Sequence, residues 1–271
     1  KNILLLSDEI TYNIAGEKIE KLLKNNNIVY SLVLRAKDEK RVTAKEEYIP
    51  QIEKCARKKN LIITVGAGTI TDLGKIVGDK LNIPVLCFPT ACSMNAYTSN
   101  VAAYIKQGVK FTIPVKPADS VFMDFSIIKQ APLELTKAGF SDSLAKCFAN
   151  SDWKISSIIT GEDFCSLPYK IVNEVEKKYI ERGDLLIKKD EETIMFVMEG
   201  LNLGGISMII AGKSSPASGG EHLISHFLDM YVHQYGKDIF SYHGIQVASG
   251  IFISSLIYDE IKNLSSNDIK K

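Results

Sequence analysis

The sequence predicts an α/β protein, with an N-terminal Rossmann-like parallel-sheet domain followed by an all-helical C-terminal domain. Short, continuously apolar segments alternate with amphipathic segments in the first third of the chain. This alternation is typical of a parallel sheet with helices on both faces. After residue 133 the strand patterns stop and only helical patterns follow. The 271 residues are 45% hydrophobic and 24% charged, which is ordinary for a globular protein with one large or two smaller cores.

The first half of the chain contains the predicted sheet. Apolar runs predict strands at residues 2–7, 28–34, 61–65 and 84–88, and those at 2–7 and 61–65 are expected to be buried. Helical spacing of apolar residues predicts helices at 12–24, 43–59 and 69–81. Thr43 is a plausible N-cap because Glu46 follows three residues later. A hairpin turning at Gly108 is predicted at residues 101–114, and one more short strand at 121–124.

The second half predicts successive helices, at residues 138–159, 167–181, 190–211, 220–234 and 242–264. The domain boundary is accordingly placed at 128/129, which gives domains of residues 1–128 and 129–271. A homo-oligomer is expected, because a helical domain offers surface for a dimer.

Composition excludes several classes of partner and compartment. The net charge of +1 gives no indication of binding to nucleic acid or to an anionic membrane surface. The five cysteines form no CxxC pair, which predicts reduced core thiols in a cytoplasmic protein rather than disulfides. No apolar run of membrane-spanning length and no signal peptide is recognised, so a soluble cytoplasmic protein is expected.

All four histidines of the chain lie between residues 222 and 243. His222 and His226 are four residues apart on a predicted helix, so their rings share one face. His243 begins the next apolar segment. Neutral imidazole is the commonest metal ligand, and three converging rings would therefore favour a metal site. The alternative is that these side chains cap helices or pack in the core.

A glycine-rich turn, Gly66-Ala67-Gly68-Thr69, joins the third predicted strand to the next helix. Ligands bind at this end of an open parallel sheet, and the helix N-terminus offers free N–H groups to a phosphate. The turn matches neither GxGxxG nor a Walker A loop. It is equally compatible with a structural turn, in which Asp72 stabilises the helix start and Lys75 is its solvated partner.

Two further segments contain polar groups suited to a site. Residues 89–100 follow the fourth strand and are rich in hydroxyl groups, so they either bind a ligand or cap their own backbone. Residues 139–146 are expected to open the first long helix of the second domain, with Asp142 in its first turn. A carboxylate there is stabilising by itself, yet one carboxylate with two or three histidines also forms a plausible divalent-ion site.

Five motifs in order carry a family resemblance: GAGTITD, PTxxSMxAYTS, GFSDSLAK, GGEHLISH and a late HG. With them the chain resembles the superfamily of iron-containing alcohol dehydrogenases and dehydroquinate synthases. It is most similar to the glycerol-1-phosphate dehydrogenase branch, with glycerol dehydrogenase as the near relative. The resemblance implies the dehydroquinate synthase-like fold, with a nucleotide-binding first domain and a metal- and substrate-binding second domain.

The resemblance also implies site residues. Asp142, His222 and His243 match the metal ligands, usually for zinc, with iron or nickel in some members. Asn95, Asp142 and His226 match substrate-contacting positions, of which Asp142 and His226 are expected to be catalytic. The family usually has Asp where this chain has Asn95. Positions that match contacts to NAD or NADP are Gly66, Gly68, Thr69, Ile70, Thr71, Asp72, Thr90, Ser93 and Ser99.

The implied reaction interconverts sn-glycerol 1-phosphate and dihydroxyacetone phosphate with NAD(P). Lys146 and Lys213 are candidates for holding the substrate phosphate. The alternatives are a glycerol or other polyol dehydrogenase, a dehydroquinate synthase-like lyase, and a catalytically weakened protein that binds nucleotide and metal. The choice between NAD and NADP depends on residues after the second strand, where Arg35, Lys37, Asp38 and Glu39 have mixed charges.

Overall fold

A computed structural model describes residues 1–36, 41–235 and 241–265, with the backbone alone at position 233. Lys37, Asp38 and Glu39, which bear on the choice between NAD and NADP, lie outside the described residues.

The N-terminal half is built on a parallel sheet in the order β2-β1-β3-β4-β7. Its strands are β1 (Asn2–Asp8), β2 (Ile28–Leu34), β3 (Leu61–Gly66), β4 (Val85–Pro89) and β7 (Ser120–Val121). The four predicted strands are therefore confirmed, although β2 at the edge of the sheet is partly exposed. The predicted strand at 121–124 is shorter and begins one residue earlier, because Asp124 caps a short helix instead.

A separate hairpin pairs β5 (Val101–Lys106) with β6 (Val109–Pro114). Gln107 and Gly108 both have positive φ angles, of 49° and 77°. Two left-handed residues are what a two-residue turn between twisted strands requires, so the predicted turn at Gly108 is confirmed. This hairpin extends from the sheet domain toward the helical half, where β6 contacts the helix that carries His222 and His226.

Helices cover both faces of the sheet. They are α1 (Glu9–Thr11), α2 (Glu17–Lys24), α3 (Ile49–Ala56) and α4 (Gly68–Leu81). Residues 12–16 form a π-helical turn between α1 and α2, so the predicted helix at 12–24 is continuous but not uniform. On one face Leu4, Ile62 and Leu73 belong to a core shared with α3 and α4, and on the other Leu5 and Ile63 pack beneath the segment that contains Ala15.

The prediction of a helix that begins at Thr43 is wrong. A 3-10 turn at Glu46–Tyr48 leads into α3, which begins at Ile49. The residues before it are held in an extended conformation, because the backbone N–H of Ile105 donates to the carbonyl of Ala44 at 2.6 Å. Pairing with the hairpin thus outweighs the local capping preference.

The C-terminal half is helical in all the elements that the structure describes. It comprises α5 (Phe125–Ile128), α6 (Leu133–Thr160), α7 (Leu167–Glu181), α8 (Glu191–Ala211), α9 (Gly220–Gln234) and α10 (His243–Asn263). The five predicted helices are confirmed, and α6 begins five residues earlier than expected. Pro132 precedes α6 and supplies a fixed φ angle suited to a helix start.

Helix α8 is long and apolar enough to cross a membrane by length and composition, which the sequence analysis did not recognise. Half of its apolar window is buried inside the protein. Ile194, Val197 and Leu201 lie in one core cluster with Val175 and Tyr179 of α7. This packing is typical of the central helix of a helical domain.

The cysteines are free, as predicted, but they do not all lie in the core. Cys87 and Cys92 are buried, whereas Cys165 is exposed.

Candidate metal centre and active-site cleft

A cleft of about 1020 Å³ lies between the sheet domain and the helical half. Asp8 ends β1 and Thr11 follows it, and Gly68 and Thr69 follow β3; all four line the cleft. Strands β1 and β3 are the neighbours at which the strand order reverses direction, and this is where open α/β sheets bind ligands. The opposite wall comes from α6, α9 and the start of α10.

The glycine-rich turn lies at the start of α4. Gly68, Thr69, Ile70 and Asp72 line the cleft, whereas Gly66 and Thr71 are buried behind its lining. The residue before the helix is Ala67, whose side chain has no acceptor with which to cap the first N–H groups. The first turn of α4 thus retains donors of the kind that bind phosphate.

Lys75 is not the solvated partner of Asp72 that the sequence analysis considered. Its side chain is 0% exposed, and its ammonium lies 3.4 Å from the Asp72 carboxylate. It also donates to the carbonyl oxygens of Ala96, Ser99 and Val101 at 2.6–3.1 Å. Burial lowers the pKa of Lys75 and raises that of Asp72, while their mutual attraction opposes both shifts. Lys75 therefore fixes the polar loop that follows β4.

That polar loop forms the next part of the wall. Thr90, Ser93, Asn95 and Ser99 all line the cleft. The Ser99 hydroxyl is within 3.1 Å of the Lys75 ammonium, so it serves the loop's own structure as well. The backbone N–H of Asn95 donates to Oδ2 of Asp142 at 3.1 Å, and this hydrogen bond joins the loop to the helical half.

Asp142, His222 and His243 converge at the wall of the cleft, which His222 and His243 line while Asp142 is buried behind it. One candidate ligand atom from each residue lies within 4.8 Å of the other two. His222 Nε2 is 3.3 Å from Oδ1 of Asp142. That oxygen is buried and has no hydrogen-bond partner among the described atoms. A buried carboxylate oxygen without a donor, facing two imidazoles, has the chemistry of a divalent-ion site.

The prediction that Asp142 lies in the first turn of its helix is wrong. Helix α6 begins at Leu133, so Asp142 lies in its third turn, away from the favourable helix dipole. Other charges compensate. Burial opposes ionisation, but the nearby Lys146 ammonium and the His222 ring together hold the pKa of Asp142 well below its usual range.

The rings of His222 and His243 are each held through Nδ1. Glu221 Oε1 lies 2.7 Å from His222 Nδ1, and Ser225 Oγ lies 3.0 Å from His243 Nδ1. Burial lowers the pKa of His222, but the carboxylates of Asp142 and Glu221 outweigh burial and raise it. Burial and the charge of Lys110 hold the pKa of His243 well below its usual range.

His226 lies one turn along α9 and lines the cleft. Its ring is stacked against His243, with centroids 6.2 Å apart. Burial, Lys110 and His222 lower the pKa of His226 to about 4. The side chain is therefore neutral near pH 7, and it can accept as well as donate a hydrogen bond there.

Close backbone approach of the helices assembles the three ligands. A Cβ on Gly244 would lie 1.9 Å from the carbonyl oxygen of Ala138, so only glycine lets α10 touch α6 next to His243. A Cβ on Gly139 would lie 2.3 Å from the carbonyl of Cys92. The contact between Gly139 and Cys92 packs the polar loop against α6 beside Asp142.

The two lysines proposed for a substrate phosphate do not line the cleft. Lys146 is buried and donates to the carbonyl of Asp142 at 2.6 Å, and Lys213 pairs with Glu162. Among the described residues that line the cleft, the basic side chains are Arg41 and Lys110. Lys110 comes from the β5–β6 hairpin, and no sequence pattern singles it out.

Lys110 lies directly beside the histidines. Its ammonium is 2.8 Å from Asp229 Oδ2 and 3.4 Å from His243 Nδ1. Arg41 stacks its guanidinium on Tyr242 at 3.9 Å, next to the first residue of α10. Both contacts join the sheet domain to the helical half across the cleft.

Residues 1–132 match the family described as iron-containing alcohol dehydrogenase. A curated relative from Pyrococcus horikoshii, named glycerol-1-phosphate dehydrogenase [NAD(P)+], is 33% identical over 94% of this chain and 71% of its own length. The chain belongs to the iron-containing alcohol dehydrogenase family. A relative of the same name from Halalkalibacterium halodurans is 31% identical over 95% of this chain and 65% of its own length. The chain thus spans about two thirds of the length of these family members.

Solved structures similar to this chain have the same fold. A probable glycerol dehydrogenase from Sinorhizobium meliloti superimposes with a TM-score of 0.72 and 20% identity, covering 92% of this chain and 68% of that chain. The glycerol dehydrogenase from Schizosaccharomyces pombe gives the same TM-score and identity over 95% of this chain and 65% of that one. The predicted two-part α/β architecture is thereby confirmed.

Proposed function

We propose that this protein is a metal-dependent NAD(P)-linked oxidoreductase that interconverts sn-glycerol 1-phosphate and dihydroxyacetone phosphate. The observation that carries the proposal is the convergence of Asp142, His222 and His243 in a cleft bounded by the β3–α4 turn. The names of the relatives at 31–33% identity supply the reaction.

Asp142, His222 and His243 would hold one divalent ion. Two imidazole nitrogens and one carboxylate oxygen suit zinc with a coordination position left open, and iron or nickel accept the same donors. When bound, such an ion supplies Lewis-acid stabilisation of charge on an oxygen atom, and a nicotinamide supplies the hydride chemistry.

The wall of the cleft supports a nicotinamide cofactor on the sheet side. The uncapped start of α4 would receive the pyrophosphate, with Gly68, Thr69, Ile70 and Asp72 around it. Gly66 and Thr71 would act from behind by shaping that turn. The same wall is lined by three residues of the polar loop, Thr90, Ser93 and Ser99. The use of NAD or NADP is measured directly by comparing the two reduced cofactors.

Asn95 and His226 are assigned to the substrate. Asn95 lines the cleft, and its backbone touches Asp142. His226 is neutral near pH 7, so it can orient a substrate hydroxyl or accept its proton through a ring nitrogen. An Asn at position 95 keeps hydrogen-bonding capacity while it removes one negative charge from the approach of a phosphate-bearing substrate.

We assign the substrate phosphate to Lys110. Among the described residues it is the lysine that lines the cleft, and Asp229 holds it beside His243. Lys110→Met should lower kcat/KM for dihydroxyacetone phosphate by about 10- to 100-fold, the value of a charged hydrogen bond of about 1.5–3 kcal/mol. The rate with dihydroxyacetone should change much less.

Lys106→Met is the matched control for that variant, because Lys106 lies on the same hairpin but is 42% exposed and pairs with Glu46. Equal losses on the phosphorylated and unphosphorylated substrates in Lys110→Met contradict the assignment.

The function is tested by loading the purified protein with zinc and following NADH or NADPH oxidation with dihydroxyacetone phosphate. Turnover on that substrate supports the proposal, and His222→Ala should abolish turnover and metal binding together. Preference for dihydroxyacetone indicates a glycerol dehydrogenase instead. Tight cofactor binding without turnover on either indicates a weakened binding protein, and phosphate elimination without net cofactor oxidation indicates a lyase.

We further propose a cytoplasmic homo-oligomer. Helix α10 has an exposed apolar stripe that includes Ile253, Leu256 and Ile257, which are 42–54% exposed. Apolar side chains at this spacing are typical of a helix that packs against another helix. Light scattering of the purified protein measures the oligomeric state, and a monomer at all concentrations contradicts the expectation.

A further inference from the structure

Glu221 is a buried carboxylate adjacent in sequence to a proposed metal ligand. Its side chain is 0% exposed. Oε1 accepts from the backbone N–H of Gly219 at 2.8 Å and lies 2.7 Å from His222 Nδ1. Oε2 is buried and has no hydrogen-bond partner among the described atoms. No role in the reaction has so far been assigned to this residue.

Hydrogen-bond chemistry fixes the His222 tautomer. A carboxylate oxygen has no proton to donate, so the proton between Glu221 and His222 belongs to Nδ1 of the ring. With an ion in the site, Nε2 would carry the lone pair that ligates it, and Nε2 is the atom that lies 3.3 Å from Asp142 Oδ1. The ring is thereby oriented with its ligating nitrogen toward the centre.

We infer that Glu221 is a positioning residue for the metal centre: it holds His222 with Nδ1 protonated and Nε2 directed at the ion. The inference rests on the proposed function, because it assumes that Asp142, His222 and His243 bind a divalent ion. A carboxylate on the second nitrogen of a ligating histidine both orients the ring and increases its basicity.

Neighbouring backbone packs closely around Glu221. It lies in the first turn of α9, where the helix dipole stabilises a carboxylate. A Cβ on Gly250 of α10 would lie 2.2 Å from the carbonyl oxygen of Glu221, so α10 packs directly against its backbone. A Cβ on Gly219 would lie 2.9 Å from Oε2. These two glycines let neighbouring backbone close around the carboxylate.

Asp152 provides a matched control. Its Oδ2 accepts from the backbone N–H of Gly220 at 2.7 Å, so it caps the same helix start. It does not contact His222 in the described contacts; its other oxygen accepts from Tyr258. A loss of metal affinity through general weakening of α9 would therefore appear in both variants, whereas a loss through the His222 ring would appear only at Glu221.

The experiment measures binding of zinc and of cobalt(II) to the full chain by chelator competition, with the cobalt absorption spectrum as a second readout. Glu221→Ala should raise the dissociation constant for zinc by about 10- to 100-fold. Glu221→Gln should recover much of that loss, because its amide oxygen can still accept from His222 and Gly219. Asp152→Ala should stay within about threefold of the wild type.

Several outcomes would overturn the inference, and they distinguish a failure of the Glu221 role from a failure of the proposed function. Wild-type affinity in Glu221→Ala, or an equal loss in Asp152→Ala, refutes the role of Glu221 and leaves the metal centre intact. A wild-type protein that binds neither zinc nor cobalt refutes the metal centre, and the positioning role with it.

Nitrogen NMR of the zinc-loaded wild type gives a test that needs no variant. The chain has four histidines, which keeps the spectrum assignable. We expect His222 to carry its proton on Nδ1 and to coordinate through Nε2. The opposite tautomer at His222 overturns the inference whether or not the substituted proteins fold.

Discussion

Replacing Lys75 by methionine should be among the most destabilising single changes in the sheet domain. Its ammonium is buried between α4 and the polar loop, 3.4 Å from the Asp72 carboxylate. Methionine fills most of the volume but leaves Asp72 buried without its cation. It also leaves the carbonyls of Ala96 and Val101 without the donor that now lies 2.7 and 2.6 Å away.

The expected cost follows from that geometry. Removing one partner of a buried ion pair typically costs about 3–5 kcal/mol, because the remaining charge is uncompensated. Each carbonyl left without a donor lowers the free energy of unfolding further, although these contributions are not strictly additive. We therefore expect the free energy of unfolding to fall by about 4 kcal/mol. For a chain of this size that corresponds to a Tm lower by roughly 8–16 °C, at about 2–4 °C per kcal/mol.

Urea unfolding followed by circular dichroism measures this loss in cofactor-free protein. Asp72→Asn in the Lys75→Met background should restore at least about 1 kcal/mol, because it removes the stranded charge and keeps an acceptor for the Ala103 N–H. Lys80→Met is the control: Lys80 lies on the same helix and pairs with Glu53, but it is 57% exposed, so its loss should stay within about 0.5 kcal/mol. A Lys75→Met protein as stable as Lys80→Met refutes the reasoning.

Three further predictions concern the helical half. Gly244→Ala should cost about 1–3 kcal/mol, because the new methyl meets the Ala138 carbonyl, and a raised Tm by calorimetry would contradict that contact. Asp190 caps α8, and Thr193 and Arg182 lower its pKa to about 2, so its ionised form stabilises the fold above its unfolded pKa of about 3.9. The stability advantage over Asp190→Ala should be constant above about pH 5 and shrink as the pH falls toward 2, and a pH-independent advantage in urea titrations contradicts it. Zinc at a free concentration 100-fold above its dissociation constant should raise the free energy of unfolding by about 2.7 kcal/mol, reversibly with chelator, and an undiminished shift in His222→Ala argues against the assigned ligands.

The fold could be predicted largely from local patterns. The four predicted strands and the long helices each have an uninterrupted apolar period, and the hairpin has a glycine where a left-handed residue is needed. The failures have non-local causes. Thr43 has the composition of an N-cap, but the hairpin strand at Ile105 holds that segment extended. Asp142 lies deep in its helix because Pro132 permits an earlier start than the apolar pattern indicated.

The candidate site could be predicted only for residues whose type and spacing carry meaning by themselves. His222 and His226 can be recognised as a pair at helical spacing. The turn around Gly68 can be recognised by its glycines. Lys110 could not be found in this way, because a lysine on a hairpin is ordinary and its place beside His243 depends on how the two halves dock. The burial of Lys75 could not be predicted for the same reason, since the loop that closes over a helix lysine decides whether it is buried.

The three proposed ligands come from α6, α9 and α10, elements that are distant in sequence and meet only in the finished structure. During synthesis on the ribosome, the pocket for the ion cannot exist until residue 243 has emerged and α10 has settled against α6. The sheet, whose strands all precede residue 122, is free to form well before that moment. Metal capture would then be a late event in biogenesis, and nascent chains halted before residue 243 should already resist protease in the sheet while they retain no zinc.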